Sequence, residues 1–298
     1  MPVRAITSEW VADRLPARPE RAHKGDFGRV LVVGGSIDYP GAVVLAGLGA
    51  MRAGAGLVRV AAADSVVARV AGAVPELTWM ALDEEAPGLI APAGWRRVSG
   101  DALEYDALVV GPGLGRQPAT ARRTRQLITS LAVPAVIDAD ALNALSDSGA
   151  WWEAMRTTHV LTPHPGEFAR LTRSPVLGVD DDDARADAAA TAAVRWRQVV
   201  VLKGARTVVA HPDGDTLRSE VGTAALATAG SGDVLAGAIA AFLAVGSSPL
   251  DAAGCGVAVH AAAGLIAEET IGVAGVMARD VAGLLPHAIR RQRGDVAR

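Results

Sequence analysis

The 298-residue sequence contains only one cysteine, Cys255. No intramolecular disulfide can form, which excludes the disulfide-rich secreted scaffolds and suits a reducing compartment. A secretory signal is missing as well, because residues 1–16 contain neither a long apolar core nor a cleavage signature. The expected location is therefore the cytoplasm, with Cys255 as a small core residue.

Excess positive charge and long hydrophobic runs are also absent. Lysine and arginine total 29 against 32 acidic residues, a net charge of −3, and no basic stripe is visible, so nucleic acid is not an expected partner. The most apolar region, residues 234–267, is interrupted by Ser247, Ser248, Pro249 and Asp251. We expect it to form two buried helices rather than a membrane span.

Aromatic residues make up only 4% of the chain, whereas 50% of the residues are hydrophobic and 33 are glycine. Such an Ala-, Val- and Gly-rich composition is typical of a globular α/β protein. The length suits one large domain and no stretch of linker composition divides the chain, so residues 1–298 are predicted to form a single domain.

Short β-branched runs alternate with Ala-rich stretches. Strands are predicted within residues 29–35, 56–63, 106–115, 133–142, 158–167 and 197–210. The strand within 158–167 is expected to lead into a polar loop through HPGE, and residues 197–210 to form two strands around a turn. Residues 40–56 are predicted to form a helix that ends near Gly54, and the acidic run opening residues 180–196 to form a solvated helix N-terminus. Continuous Val, Ile and Leu runs followed by helices predict a largely parallel central sheet with helices on both faces. Ligands of such sheets bind beyond the carboxyl ends of the strands, so the polar segments there predict one composite site.

The stretch ATAGSGDVLAG, residues 227–237, predicts an anion site. Gly230, Ser231 and Gly232 can turn backbone N–H groups toward one point, and the helix that is expected to begin near Val234 adds its own N–H groups and dipole. A carboxylate beside an anion is repulsive unless it accepts a proton. Asp233 is therefore expected to deprotonate a hydroxyl that attacks a phosphoryl group. The alternative is that Asp233 only caps the helix.

These glycine-rich segments do not match the Walker A pattern, and their match to the dinucleotide-binding fingerprint is weak. Seven segments, in their residues and in their order along the chain, instead resemble those of the ADP/ATP-dependent NAD(P)H-hydrate dehydratases of the ribokinase-like superfamily. The segments are HKGDFGRVLVVGGS (23–36), YPGAVVLAGLGAMRAGAGLV (39–58), VVGPGLG (109–115), VIDADALNAL (136–145), LTPHPGEFARL (161–171), VVLKGARTVVA (200–210) and ATAGSGDVLAG (227–237). The resemblance implies a ribokinase-like fold for roughly residues 20–290.

The resemblance also implies a reaction: ADP-dependent (S)-NAD(P)H-hydrate dehydration, with Mg²⁺ as cofactor and ADP, or ATP, as co-substrate. Asp233 would deprotonate the hydroxyl of hydrated NADH or NADPH, the oxygen would attack the terminal phosphoryl group, and phosphate would then leave, pushed by the ring nitrogen. A homotetramer is implied as well. Because HKGDFGRV begins at residue 23, an epimerase acting in the same repair pathway is expected on a separate chain.

The resemblance assigns nucleotide binding to two segments. They are Lys203, Gly204, Ala205, Arg206 and Thr207, and Gly230, Ser231 and Gly232. Lys203 would reach phosphate as a point charge. The alternative for KGART is a surface hairpin turn.

Hydrated NAD(P)H would contact Ala42, Gly113, Gly115, His164 and Asp233. The three small residues let the backbone approach a ligand, although turns and packing require such residues too. His164 stands between two prolines, and its alternative role is to cap a turn.

No metal ligand is assigned, and the candidates for Mg²⁺ are Asp138, Asp140 and Glu167. Each has an alternative: the aspartates could only cap the next helix, and Glu167 could orient His164. His260, in an Ala- and Gly-rich helix, is predicted to be structural.

One departure from the family concerns residues 223–227, Thr-Ala-Ala-Leu-Ala, where many relatives carry Asn-x-Gly-Met-Ala. It removes an amide near the site and affects the predicted nucleotide contacts. Two other function classes stay open: a kinase of a vitamin-precursor alcohol, and a non-catalytic nucleotide-binding module.

Overall fold

The computed structural model of the chain describes residues 3–178 and 181–294. The strands are β1 (Val3–Ala5), β2 (Arg29–Val33), β3 (Leu57–Ala63), β4 (Thr78–Leu82), β5 (Glu84–Ala86), β6 (Leu89–Ile90), β7 (Ala107–Val110), β8 (Ala135–Ile137), β9 (Val160–Leu161), β10 (Val199–Leu202), β11 (Val208–Ala210) and β12 (Thr216–Arg218). The helices are α1 (Ser8–Ala12), α2 (Pro40–Ala53), α3 (Asp64–Val70), α4 (Pro92–Asp101), α5 (Pro118–Ser130), α6 (Asp140–Ser146), α7 (Pro165–Thr172), α8 (Asp182–Trp196), α9 (Ser231–Ala244), α10 (Pro249–Thr270) and α11 (Ala278–Gln292).

Ten strands form one sheet in the order β1-β12-β11-β10-β9-β8-β7-β2-β3-β4. Every neighbouring pair is parallel except the two that involve β11, which runs antiparallel to β10 and to β12. The β10–β11 pair is the predicted pair of strands around a turn. The prediction of a largely parallel central sheet is confirmed.

Both faces of this sheet are covered by helices. In β2, Val30 and Val32 belong to the core cluster shared with α2, α9, α10 and α11, whereas Leu31 and Val33 belong to the cluster shared with α3 to α8. Successive side chains of a strand point to opposite faces, so a strand buried on both faces must be apolar at every position. This is why the strands are visible in the sequence as unbroken apolar runs.

The apolar region 234–267 forms α9 and α10, the two predicted helices. α10 is long and apolar enough to cross a membrane by length and composition, but 78% of that apolar window is buried inside the protein, as in a core helix. α9 packs tightly on α2 because a Cβ on Gly237 would lie 2.0 Å from the carbonyl oxygen of Ala46.

The structure confirms two predicted helix boundaries and contradicts one predicted loop. α2 ends where Gly54 takes a left-handed conformation (φ 111°), as expected. α8 begins as predicted with an acidic turn, in which the Asp181 carboxylate accepts from the backbone N–H of Ala184; Asp180 lies outside the described residues. The prediction of a polar loop through HPGE was wrong, because β9 is only two residues long and Pro165 already starts α7. Proline is well suited to the first turn of a helix, where no N–H is needed.

Candidate active site

A cleft of about 790 Å³ opens beyond the carboxyl end of β10. Seven of the eight predicted nucleotide-binding residues line it: Lys203, Gly204, Ala205, Arg206, Thr207, Ser231 and Gly232. The eighth, Gly230, precedes them at the start of α9, and His164 lines the same cleft. The KGART segment does connect a β-hairpin, as its alternative interpretation held, but the turn faces the cleft.

The glycine loop is the N-terminus of α9. Gly230 is the N-cap in a left-handed conformation (φ 86°), and a Cβ there would lie 2.3 Å from the Leu45 side chain. Asp233 is the third residue of the helix and makes no capping hydrogen bond. The alternative of Asp233 as a plain N-cap was therefore wrong, and so was a helix start near Val234. The first turn presents its N–H groups at the cleft, as an anion site requires.

The partly exposed carboxyl of Asp233 lies in a strongly negative, largely buried environment. Burial is the largest cause that raises the pKa of Asp233, and Asp138, Glu167 and Asp140 also raise it. Lys203 lowers it in part, and the net pKa is about 8. A general base works best when its pKa lies near the working pH. The raised pKa of Asp233 is typical of a group that gains and loses a proton, and not of a carboxylate that stays charged.

Lys203 is held in a buried network of ions. Its Nζ lies 2.8 Å from Oδ1 of Asp138 and 3.9 Å from Oε2 of Glu167. Asp138 Oδ1 also accepts from the hydroxyl of Thr162 at 2.8 Å. Burial lowers the pKa of Lys203, but the two carboxylates outweigh it and the net shift is upward. The ammonium group therefore stays charged next to Gly232, whose Cβ would lie 3.3 Å from Nζ.

The turn after Lys203 rests on a buried arginine of α8 that sequence reasoning missed. Arg185 Nη2 donates to the carbonyl oxygens of Leu202 and Lys203 at 3.3 and 3.0 Å. A Cβ on Gly204 would lie only 2.1 Å from the same nitrogen. Gly204 thus leaves room for the guanidinium group. No sequence signal marks this arginine, because it stands among alanines on a helix that is polar at its start.

His164 is the N-cap of α7, so its alternative capping role is confirmed. Nδ1 accepts from the backbone N–H of Gly166 at 3.0 Å, and the His164 N–H donates to Glu167 Oε2 at 2.8 Å. Burial, Lys203 and Arg170 lower the pKa of His164, so the ring is neutral and Nε2 carries its hydrogen. Burial raises the pKa of Glu167 to about 7. The exposed half of the ring still faces the cleft.

Ala42, Gly113 and Gly115 lie together outside the lining of the cleft. A Cβ on Gly113 (φ 65°) would lie 3.0 Å from that of Ala42. Gly115 (φ 78°) donates its N–H to Asp140 Oδ2 at 2.8 Å. Asp140 therefore ties the GPGLG loop to α6, and the Asn143 amide contacts its other oxygen at 3.3 Å. Of the five predicted substrate residues, His164 lines the cleft and Asp233 lies in the first turn of α9. The other three, Ala42, Gly113 and Gly115, form a second surface around the GPGLG loop.

The chain matches the family model described as NAD(P)H-hydrate dehydratase over residues 30–287, which include both surfaces. The chain belongs to the NAD(P)H-hydrate dehydratase family. It is 40% identical over 292 residues to the ADP-dependent (S)-NAD(P)H-hydrate dehydratase of Xanthomonas campestris, with 97% of each chain covered. It is 41% identical to the bifunctional NAD(P)H-hydrate repair enzyme Nnr of Moorella thermoacetica, covering 98% of this chain. The chain spans about half the length of such bifunctional relatives, 55% in this case.

Solved structures of the family share the fold. The ADP/ATP-dependent NAD(P)H-hydrate dehydratase of Bacillus subtilis, co-crystallised with ATP and Mg²⁺, superposes with a TM-score of 0.84 at 33% identity, covering 98% of this chain and 99% of that one. A ribokinase-like superfamily protein from Enterococcus faecalis superposes with a TM-score of 0.82 at 23% identity, covering 97% and 96%. The ribokinase-like fold implied by the sequence is confirmed.

Thr223 and His260 also lie at the cleft. Thr223, in the segment expected to depart from the family, accepts from the Ala225 N–H at 3.0 Å and donates a short hydrogen bond to Glu268 of α10, so its hydroxyl organises this segment. His260, which was predicted to be structural, is buried and also lines the cleft. The signal available was its polarity within the apolar run 252–267.

The three candidate magnesium ligands already accept hydrogen bonds or pair with Lys203. In the described part of the chain, no group of three or more His, Cys, Asp or Glu side chains is arranged to hold a metal ion. Magnesium commonly uses only one or two carboxylates and takes its remaining oxygens from phosphates and water. The carboxylates of Asp138, Asp140 and Glu167 are oxygen donors of the kind that such an ion takes from a protein.

Proposed function

We propose that this chain is an ADP-dependent (S)-NAD(P)H-hydrate dehydratase. The observation that carries the proposal is the position of Asp233, a carboxyl of raised pKa in the first turn of α9, between the cleft and the GPGLG surface. Membership of the dehydratase family, with full-length relatives of that name, supports the same reaction.

In the proposed reaction, Asp233 takes the proton of the hydroxyl on the hydrated nicotinamide ring. The oxygen bonds to the terminal phosphorus of ADP, and AMP leaves with the electron pair of the broken P–O bond. The ring nitrogen then pushes out the C–O bond, so phosphate departs, and loss of a proton from the neighbouring carbon restores the double bond. Phosphorylation turns hydroxide, a poor leaving group, into phosphate.

Different residues of the chain would carry out the steps of this reaction. The N–H groups at the start of α9 and the Lys203 ammonium would stabilise the charge that develops on the transferred phosphoryl group. His164 would contact the hydrated nucleotide through the exposed half of its ring, while Ala42 and Gly113 leave space on the second surface. Mg²⁺ bound with the nucleotide would neutralise phosphate charge, with Asp138, Asp140 or Glu167 as its nearest protein oxygens.

Three finer points belong to the same proposal. Residues 1–298 would act as one dehydratase domain, since β1 near one end of the chain joins the same sheet as the later strands. The protein would be a cytoplasmic homotetramer, which light scattering would test. A separate epimerase would supply the (S) epimer of the hydrate.

The deciding experiment measures recovery of reduced-nicotinamide absorbance from hydrated NADH with ADP, with ATP and with neither, at fixed Mg²⁺. We expect recovery only with nucleotide, and free phosphate released in step. Hydrated NADPH in place of hydrated NADH would identify the preferred substrate. A folded protein that binds ADP but restores no absorbance would refute the proposal, and a stable phosphorylated alcohol would identify a kinase.

A further inference from the structure

His260 stands out in α10 because it is a buried polar side chain on an otherwise apolar stretch. Only 7% of the residue is exposed, and its neighbours along the helix are alanine, glycine and valine. Its Nε2 lies 3.0 Å from the carbonyl oxygen of Ser231 and 3.1 Å from the Ser231 hydroxyl oxygen. The contact thus joins α10 to the first residue of α9, inside the glycine loop.

The chemistry of these contacts determines where the hydrogens are. A carbonyl oxygen can only accept, so Nε2 of His260 must carry a hydrogen and donate it. Burial lowers the pKa of His260 to about 4, so the ring is neutral and this donor is not lost at physiological pH. The Ser231 oxygen, 3.1 Å away, accepts from the same N–H. The hydroxyl hydrogen of Ser231 is then left to point elsewhere, and Ser231 lines the cleft.

We propose that His260 is a positioning residue that holds Ser231 with its hydroxyl hydrogen directed into the cleft, as a hydrogen-bond donor to a phosphate oxygen of the nucleotide. His260 does not itself touch the reacting atoms; it acts through Ser231. The inference rests on the proposed function to the extent that the occupant of the cleft is a nucleotide. The Ser231 hydroxyl would thus donate a hydrogen bond in addition to those of the backbone N–H groups around it.

The test compares His260→Leu, which removes the donor at similar volume, with His260→Gln, which keeps an N–H at a similar reach. Binding of ADP by calorimetry and steady-state KM and kcat are measured for each. We expect His260→Leu to weaken ADP binding about tenfold, the order of a lost hydrogen bond to a charged group, and His260→Gln to recover most of that loss. Cys255→Ala is the matched control, since Cys255 is buried on the same helix but does not line the cleft.

A cycle with Ser231→Ala separates positioning from general loss of packing. If His260 acts through Ser231, His260→Leu adds little further loss in the Ser231→Ala background. Fully additive losses, or unchanged ADP binding by folded His260→Leu, would overturn the inference. Failure of the wild-type protein to bind ADP would instead refute the proposed function.

If His260→Leu does not fold, NMR of the wild-type protein still tests the role of His260. ¹⁵N-histidine NMR is expected to show the Nε2–H tautomer of His260, with a shift at Nε2 when ADP binds. The Nδ1–H tautomer, or a ring that ADP leaves unperturbed while Ser231→Ala binds ADP normally, would contradict it.

Discussion

Replacing Asp233 with asparagine should abolish turnover and at the same time make the protein more stable. The amide matches the carboxylate in shape but cannot accept the hydroxyl proton, so we expect kcat to fall by about 10²–10⁴-fold. ADP binding should be kept near pH 7, where the Asp233 carboxyl is largely protonated, and strengthened above pH 8, where the substitution removes a negative charge beside the phosphates.

The gain in stability follows from the pKa of Asp233, which rises from 3.8 to about 8 on folding. Between these pH values the folded protein holds a proton that the unfolded chain has released, so the stability of the wild type falls as pH rises. At about 1.36 kcal/mol per pKa unit, the largest possible penalty at pH 7 is about 4 kcal/mol. Solvent screening of the partly exposed carboxyl reduces the expected gain for Asp233→Asn to about 1–3 kcal/mol.

Thermal unfolding of both proteins between pH 4 and pH 8.5 tests this reasoning. We expect equal midpoints near pH 4 and a midpoint about 2–6 °C higher for Asp233→Asn near pH 8. Asp187→Asn, at an exposed position of α8, should show no such divergence. Turnover by Asp233→Asn close to that of the wild type would refute the base role. A midpoint difference independent of pH would refute the electrostatic argument.

Three other predictions concern the same cluster. The value of kcat/KM should rise up to tenfold per pH unit below about 8 and level off above it, because Asp233 must be ionised to act as a base; a flat profile from pH 6 to 9 would contradict this. Lys203→Met should destabilise the protein by about 3 kcal/mol in urea unfolding, since two buried carboxylates lose their partner, and should abolish ADP binding; unchanged affinity would exclude a phosphate contact. Gly204→Ala should push the Arg185 guanidinium off the turn and lower the unfolding free energy by about 2 kcal/mol, whereas normal stability would show that the arginine can move without penalty.

Patterns of neighbouring residues were sufficient to predict the strands of the sheet and several residues of the site. Burial on both faces makes β2 and β10 continuous apolar runs. The strands and a parallel sheet can therefore be predicted from the pattern of apolar residues along the chain. Family-like motifs then marked Lys203, His164 and Asp233 before any geometry was available. The main local error, the polar loop through HPGE, arose because proline and glycine are typical of loops but are also tolerated in the first turn of a helix.

Other features depend on residues that are distant in the chain. The pairing of Lys203 with Asp138 spans 65 positions, and the contact of His260 with Ser231 spans 29. Neither has a periodicity or a spacing that a sequence pattern could reveal. The pKa of Asp233 likewise depends on burial and on carboxylates contributed by other segments. The order of residues establishes which groups are present and which strands and helices carry them. Which groups meet, and how they are charged, depends on the folded arrangement, because electrostatic energies depend on distance and solvent exposure, which chain order does not set.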